Sequence, residues 1–272
     1  MTGMAGRSNP TLTPIGGDIK ALINKLLNSN SDLAGKVGQR LSELQSMPAK
    51  EIARLREESE TIEKKFFHRA RHEMLINNSR LMGLDRDRTL ANYKPNCLTG
   101  QTMKKQLKEA LDLWPEEKRS FYIWGPDNGP GKSHCAKGFL IELIKRGVDV
   151  RFWRMTDFRG ALIRCYKDTE LINPAEECIN IEYLVLDDWD KAGITQEKNP
   201  GLFSDIWSLV DYRCDQNLPI ILTGQHPLYK QAGFASSLEE LWGKDIANRL
   251  SSCIQLYVTG TSGRGNAAGR EE

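Results

Sequence analysis

The residues with the clearest chemistry stand together in Phe121-Tyr122-Ile123-Trp124-Gly125-Pro126-Asp127-Asn128-Gly129-Pro130-Gly131-Lys132-Ser133. Four apolar residues with strand propensity lead into a glycine-rich turn, and a helical pattern follows. Glycines let the backbone curl until several N–H groups point inward, and a helix N-terminus adds the positive end of its dipole. Such a turn cradles phosphate. The backbone amides of Asn128, Gly129, Pro130 and Gly131 (Pro130 contributing shape, since it has no N–H) surround the anion. Lys132 reaches the β- and γ-phosphates, and the Ser133 hydroxyl binds Mg²⁺. The usual pattern has four residues between its first glycine and the final Gly-Lys; here Gly125 and Gly131 have five between them.

A second group lies downstream, in Tyr183-Leu184-Val185-Leu186-Asp187-Asp188. A buried strand that ends in two acids delivers both to the C-terminal edge of a sheet, where ligands of open α/β folds bind. Asp187 is expected to hold Mg²⁺ and Asp188 to activate or orient the attacking water. Gln225 follows another apolar strand and is placed to help position that water. Arg249, near the end of the last helix, either reaches the γ-phosphate of its own subunit or a neighbour's, or caps its helix C-terminus.

Parallel strands must carry these groups. Strands are expected at Phe121–Trp124, Val150–Arg154, Tyr183–Leu186, Pro219–Thr223 and Ile254–Val258, alternating with helices at Ser133–Arg146, from Thr156 or Asp157 to Tyr166, Leu202–Asp215 and Leu238–Leu250. That alternation means a parallel sheet covered on both faces. Upstream, apolar residues at helical spacing (Ile19, Leu22, Ile23, Leu26, then Leu33, Val37, Leu41, Leu44) and a charged helix from Pro48 suggest a partner-binding module or a structural appendage. The expected division is a disordered start (1–16), a helical partner-binding domain (17–80), a linker (81–100), the α/β domain (101–258) and a disordered tail (259–272). Residues 64–105 are locally basic, which suits either nucleic acid phosphates or a solvated linker.

The chain has 272 residues, 39% hydrophobic and 27% charged, with a net charge of +2, so no global basic field argues for nucleic acid. No run approaches the about eighteen apolar residues of a membrane span, and no signal-peptide pattern is present, which points to the cytoplasm. Six scattered cysteines read as reduced thiols. His68 and His72, one helical turn apart, read as a helix face rather than a metal site.

Taken in order, these motifs resemble the AAA+ ATPases, and within them the bacterial replicative helicase loaders of the DnaC and DnaI type, with the related transposition helper IstB. Leu90-Ala91-Asn92-Tyr93 looks like the short connector ahead of their ATPase core. Gly131-Lys132-Ser133-His134 looks like their phosphate loop, which brings His134 into the nucleotide site. Asp187-Asp188, Val210-Asp211-Tyr212-Arg213 and Asn248-Arg249-Leu250 resemble their acid pair, pre-sensor helix and late arginine motif. The resemblance implies a five-stranded parallel sheet of order 5-1-4-3-2 and ATP with Mg²⁺ as ligands. It implies N-terminal helices that grip a hexameric replicative helicase, and self-association around single-stranded DNA. It also turns the helix after the second strand toward that DNA, which assigns Arg159 and Arg164 to phosphates and Tyr166 to base stacking.

The chain departs from the family pattern in its longer loop, in Asp188 where Glu is common, in Gln225 where Asn is common, and in Asp245, beside Lys244, where a trans-acting arginine is usual. These departures bear on hydrolysis more than on ATP binding, and they slightly favour a phage or mobile-element setting. A helicase loader is the leading expectation. An IstB-like transposition helper and a non-hydrolysing ATP-gated adaptor are the alternatives.

Overall fold

The computed structural model describes Gly35, Lys36, Gln39 and residues 47–260. The expected disordered start, most of the helical segments before Pro48 and most of the tail lie outside the described residues. The chain divides into two units, Met1–Phe66 and Phe67–Glu272. The first helix, α1 (Ala49–Asn78), runs through that division. It begins directly after Pro48, and a pair one turn apart, Arg54–Glu58 at 3.0 Å, supports its exposed face.

In the second unit α2 (Leu98–Asp112) precedes β1 (Phe121–Trp124), α3 (Lys132–Lys145), β2 (Val150–Arg154), α4 (Met155–Lys167), α5 (Pro174–Ile179) and β3 (Tyr183–Asp187). Then come α6 (Pro200–Asp215), β4 (Ile220–Gly224), α7 (Leu238–Trp242), α8 (Lys244–Leu250) and β5 (Ile254–Tyr257). All five strands are parallel, in the order β2-β3-β4-β1-β5, which is the order 5-1-4-3-2 read from the other edge. Phe121 pairs with Ile221 on one side and Ile254 on the other, so β1 is buried between two neighbours.

Strand periodicity sorts the core into two layers. Phe121, Ile123, Val185 and Ile221 face α2, α3 and the end of α1, while Tyr122, Leu184, Leu186 and Leu222 face α4, α6, α7 and α8. The strands β1, β3 and β4 are thus covered on both faces, the edge strand β5 exposes Gln255 and Tyr257 on one, and the C-terminal edge of the sheet is left for the loops.

Three local features differ from the sequence expectation. The helix expected at Leu238–Leu250 breaks at Gly243, whose φ of 88° is cheap only for glycine. A short helix, α5, occupies a stretch to which the sequence reading assigned no element; its signals are the Asn173 cap, which accepts from the Ala175 N–H, and Pro174 in the first turn. The stretch 81–100, expected as a linker, is folded onto α3: Leu81, Leu90 and Tyr93 are buried, and Gly83–Asp87 forms a 3-10 turn. Lys137 of α3, fully buried, meets the Asp85 carboxylate at 2.7 Å.

Arg213 is fully buried, with no carboxylate against it among the described residues. Its guanidinium donates instead to the carbonyls of Cys178, Ile181 and Pro219 at 2.8–2.9 Å, joining the end of α5 to the start of β4. Burial pulls its pKa down to about 10.

Gly138 is where α3 meets the connector. A Cβ there would stand 2.6 Å from the Leu90 nitrogen and 2.8 Å from the Thr89 carbonyl carbon. Helix propensity alone favours Gly138→Ala by about 1 kcal/mol. The backbone contact reverses the sign, and the expected outcome is destabilisation by about 1–3 kcal/mol in urea unfolding. A midpoint equal to or above that of the wild type would show that residues 89–90 are not held against α3.

Candidate functional site

At the C-terminal edge the loop after β1 wraps back on itself. Gly129 and Gly131 both have φ of 101°, and Gly131 is the left-handed N-cap of α3. A Cβ on Gly131 would fall 2.2 Å from the Tyr93 ring, and one on Gly125 would fall 1.9 Å from the Val258 carbonyl oxygen. Both glycines are therefore required by close approach as well as by backbone angle. Lys132 opens α3 and is buried. Its ammonium donates to the carbonyls of Gly125 (2.8 Å) and Asp127 (2.9 Å), inside the curl of the loop. Burial lowers its pKa, and Asp190 and Asp188 partly restore it. The Asp127 carboxylate faces away and accepts from the Thr259 hydroxyl and the Gly260 N–H (2.9 Å). These bonds, the Thr259 hydroxyl first, hold it below the usual carboxylate range.

Asp187 ends β3 almost fully buried. It accepts from the Thr223 hydroxyl of β4 at 2.6 Å and from the Ser133 hydroxyl of α3. Burial raises its pKa despite both bonds. Ser133 and Asp187, assigned to Mg²⁺ from the sequence, are thus in direct contact beside the loop. Hydroxyl and carboxylate oxygens in that position are the hard donors magnesium prefers, with phosphate oxygens completing its shell. Thr223 was not singled out in the sequence, yet its hydroxyl also accepts from the Asp188 N–H at 2.9 Å. Its place at the end of β4 was the available signal. Asp188 has φ 56° and ψ 48°, a left-handed conformation that swings its side chain off the strand line. Its carboxylate is partly exposed and meets Lys191 at 2.8 Å.

Gln225 reaches the loop: its Nε2 donates to Asn128 Oδ1 at 2.8 Å. Its backbone N–H donates to the buried Asp190 carboxylate at 2.5 Å. Asp190 has one oxygen without a partner among the described residues. Asp190 is a further site residue that motif spacing does not reveal, because it sits in the 3-10 turn Trp189–Ala192 beyond the acid pair.

His134 turns from the loop toward the connector. Its Nε2 lies 2.9 Å from Asn92 Oδ1 and 3.1 Å from the Thr89 carbonyl. Burial lowers its pKa. Tyr93 donates its hydroxyl to the Pro130 carbonyl at 2.5 Å, and Lys104 of α2 donates to the Tyr93 carbonyl at 2.6 Å. The connector therefore forms one wall of the loop.

The remaining expected residues lie apart from this cluster. Arg249 pairs with Asp211 (2.6 Å) and Asp215 (2.7 Å) of α6. It stands where α8 leads into β5 and α6 into β4, so it is at the N-terminal edge of the sheet. Within one chain that is the edge opposite the loop, so Arg249 is not placed to reach the γ-phosphate of its own subunit, and its partners here are the two carboxylates of α6. On α4, Tyr166 is half-exposed and donates to Asp205 at 2.5 Å. Arg159 is half-buried and donates to the Ala192 carbonyl at 3.2 Å. Arg164 lies on the same helix as both.

The model of the IstB-like ATP binding protein family matches residues 49–242. No curated protein matches the chain. Among solved structures, the DnaC helicase loader superposes with a TM-score of 0.53 at 18% identity, over 64% of this chain and 97% of its own. DnaI superposes at 0.52 and 19%, over 66% and 93%. The replication initiator DnaA bound to AMPPCP and single-stranded DNA superposes at 0.52 and 18%, over 64% of this chain. The chain spans half the length of that initiator. At these identities the likeness is one of fold.

Asp187 supplies a test of the site's electrostatics. Because its folded pKa is raised, its burial is tolerated best when protonated, and stability is lost as pH rises through that pKa. Asp187→Asn is therefore expected to raise the ligand-free unfolding free energy at pH 7 by about 1 kcal/mol. The gain shrinks as the pH falls toward the carboxylate range. A variant less stable than the wild type at pH 7 would mean that the charge is compensated within the chain.

Proposed function

The chain belongs to the IstB-like ATP binding protein family, and on that premise we propose that it is an ATP-driven loader of a ring-shaped replicative helicase. The observation that carries the ATP reading is the contact among the phosphate loop, Ser133 and Asp187, which brings a lysine, a hydroxyl and a carboxylate to one strand edge. Lys132 leaves its two carbonyls for the β- and γ-phosphates, and the amides of Asn128, Gly129 and Gly131 complete the cradle with Pro130 shaping it. Ser133 and Asp187 would hold Mg²⁺, which supplies charge neutralisation between the β- and γ-phosphates. Asp188 accepts a proton from the attacking water once Lys191 yields, and Gln225 orients that water from its anchor on Asn128. His134 supports the nucleotide pocket through the connector rather than by touching phosphate. Arg249, released from Asp211 and Asp215, serves a neighbouring subunit's γ-phosphate, which makes self-association part of the chemistry.

The loader reading is favoured by the DnaC and DnaI folds, nearly all of whose length is matched. In it, the N-terminal helices engage the helicase, and single-stranded DNA runs along α4 with Tyr166 stacking on a base and Arg164 on phosphate. Among the described residues no helix is long and apolar enough to cross a membrane, in keeping with a cytoplasmic role. A transposition helper that shares this ATPase core is the second reading, and the family match to IstB-like proteins is what favours it. Capture of the purified chain by a helicase but not a transposase would separate the two.

Lys132→Ala is expected to weaken magnesium–ATP binding by about 30- to 100-fold in titration calorimetry, the worth of a charged hydrogen bond of about 2–3 kcal/mol. Asp188→Asn should leave that affinity intact and lower phosphate release by about 10²–10⁴-fold. Equal release from Asp188→Asn and wild type would remove hydrolysis from the account. Tyr166→Ala is expected to weaken single-strand binding by about 1–3 kcal/mol in fluorescence anisotropy. An unchanged affinity would take α4 out of the DNA path.

A further inference from the structure

We propose that the N-terminal edge of the sheet carries a second anion site, one that holds a backbone phosphate of a nucleic acid. A cavity of about 210 Å³ lies where the C-terminal half of α1 meets the end of α3. Its rim is His68, Arg71, His72, Lys145 and Arg146, and its floor is the buried pair Leu75 and Ile144. Of the three permanent cations, Lys145 meets a carboxylate, Glu142 at 2.8 Å, and no ion pair of Arg71 or Arg146 is present among the described residues.

Helix capping explains part of this cluster. The last carbonyls of α3 attract cations; Arg71 donates to the Gly147 carbonyl at 3.2 Å, and Arg146 donates to the Leu111 carbonyl. Those bonds fix the two guanidinium planes at the rim, and each plane keeps further N–H donors for a ligand. Capping requires neither a cavity nor two imidazoles one turn apart. Among the described residues His68 and His72 have no hydrogen-bond or ion-pair partner.

A phosphate group occupies a few water volumes of about 30 Å³ each, so the cavity admits one together with part of a sugar. The apolar floor suits the sugar carbons, and the rim suits the two free oxygens of a phosphodiester, for which arginine forks are well matched. The site also gives a place to the basic tract of residues 64–105. It does not rest on the ATP reading, because α3 carries the cavity at its far end from Lys132. It is separate from the proposed path along α4, which packs on the other face of the sheet.

The test uses the full chain and a fluorescein-labelled oligonucleotide, single-stranded and duplex, titrated across a salt series. The variants are Lys145→Glu, Lys145→Ala and the double variant His68→Ala/His72→Ala, each first compared with wild type in thermal unfolding. Each folded variant is expected to bind both nucleic acid forms about fivefold more weakly, and Lys145→Ala to lower the slope of log affinity against log salt by about 0.7–0.9. Calorimetric ATP affinity should not change, which keeps failure here distinct from failure of the nucleotide site. Ultraviolet crosslinking of a thiouridine-bearing strand should label the peptide holding residues 67–76 in wild type and lose that label in the variants. Unchanged affinity and salt slope in any folded variant, with label only on α4, would overturn the proposal. So would a loss of binding to an acidic Asp/Glu peptide with oligonucleotide binding intact, since the site would then belong to a protein partner.

Discussion

The buried carboxylate of Asp187 is the interaction on which the site depends. Burial works against its charge, and the bonds from Thr223 and Ser133 only partly offset that. Those two bonds nevertheless join β3, β4 and the first turn of α3 at one point. The nearest buried cation, Lys137, gives its ammonium to Asp85 instead. A negative charge is therefore kept at the strand edge with hydroxyls around it and no cation in contact. Folding alone gives no reason to retain it, whereas a divalent ion shared with phosphate does. Local cost at a functional position is what a stability–activity trade-off looks like in one residue.

The phosphate loop is held open by its surroundings rather than by its own sequence. Gly131 is capped by the Tyr93 ring, Gly125 by the Val258 carbonyl, and Asp127 by Thr259 and Gly260. Thr259 in turn exchanges hydrogen bonds with Thr99 at the start of α2. The loop's extra residue is accommodated because both of its shoulders are fixed from outside. Lys132 rests on carbonyl oxygens, neutral partners that it exchanges at lower cost than an ion pair.

The five strands, the glycine turn after the first and the acids after the third were legible because each depends on a local pattern, whereas the sheet order came only through the resemblance to the AAA+ family. Ser133 and Asp187 came together as that pattern implies. Residues whose roles depend on long-range packing were not legible. Tyr93 stood in the sequence only as the last residue of the connector, with no role given to it, Thr223 carries no motif of its own, and Asp190 looks like any polar loop residue until its carboxylate is found under Gln225. Gly243 reads as tolerable within a helix; only its positive φ shows that α7 and α8 are separate. Arg249 was correctly placed on its helix, but the edge of the sheet it occupies follows from the direction of β5, which periodicity alone does not give.

These bonds also connect the loop to the part of the fold that would meet a neighbour. Asn128 is tied to Gln225, Gln225 to Asp190, and the His226 imidazole, next in sequence, to the Ser236 hydroxyl at 3.0 Å. Ser237 then caps α7 in a reciprocal box with Glu240. From the phosphate cradle to the first turn of α7 the steps are hydrogen bonds joined by two pairs of chain neighbours, Gln225–His226 and Ser236–Ser237. The line stops at Gly243, where the backbone turns before α8 carries Arg249 to the far edge. Contiguity is not by itself coupling. Beyond Gly243 it is the ion pairs with Asp211 and Asp215 of α6, and not this line, that hold Arg249.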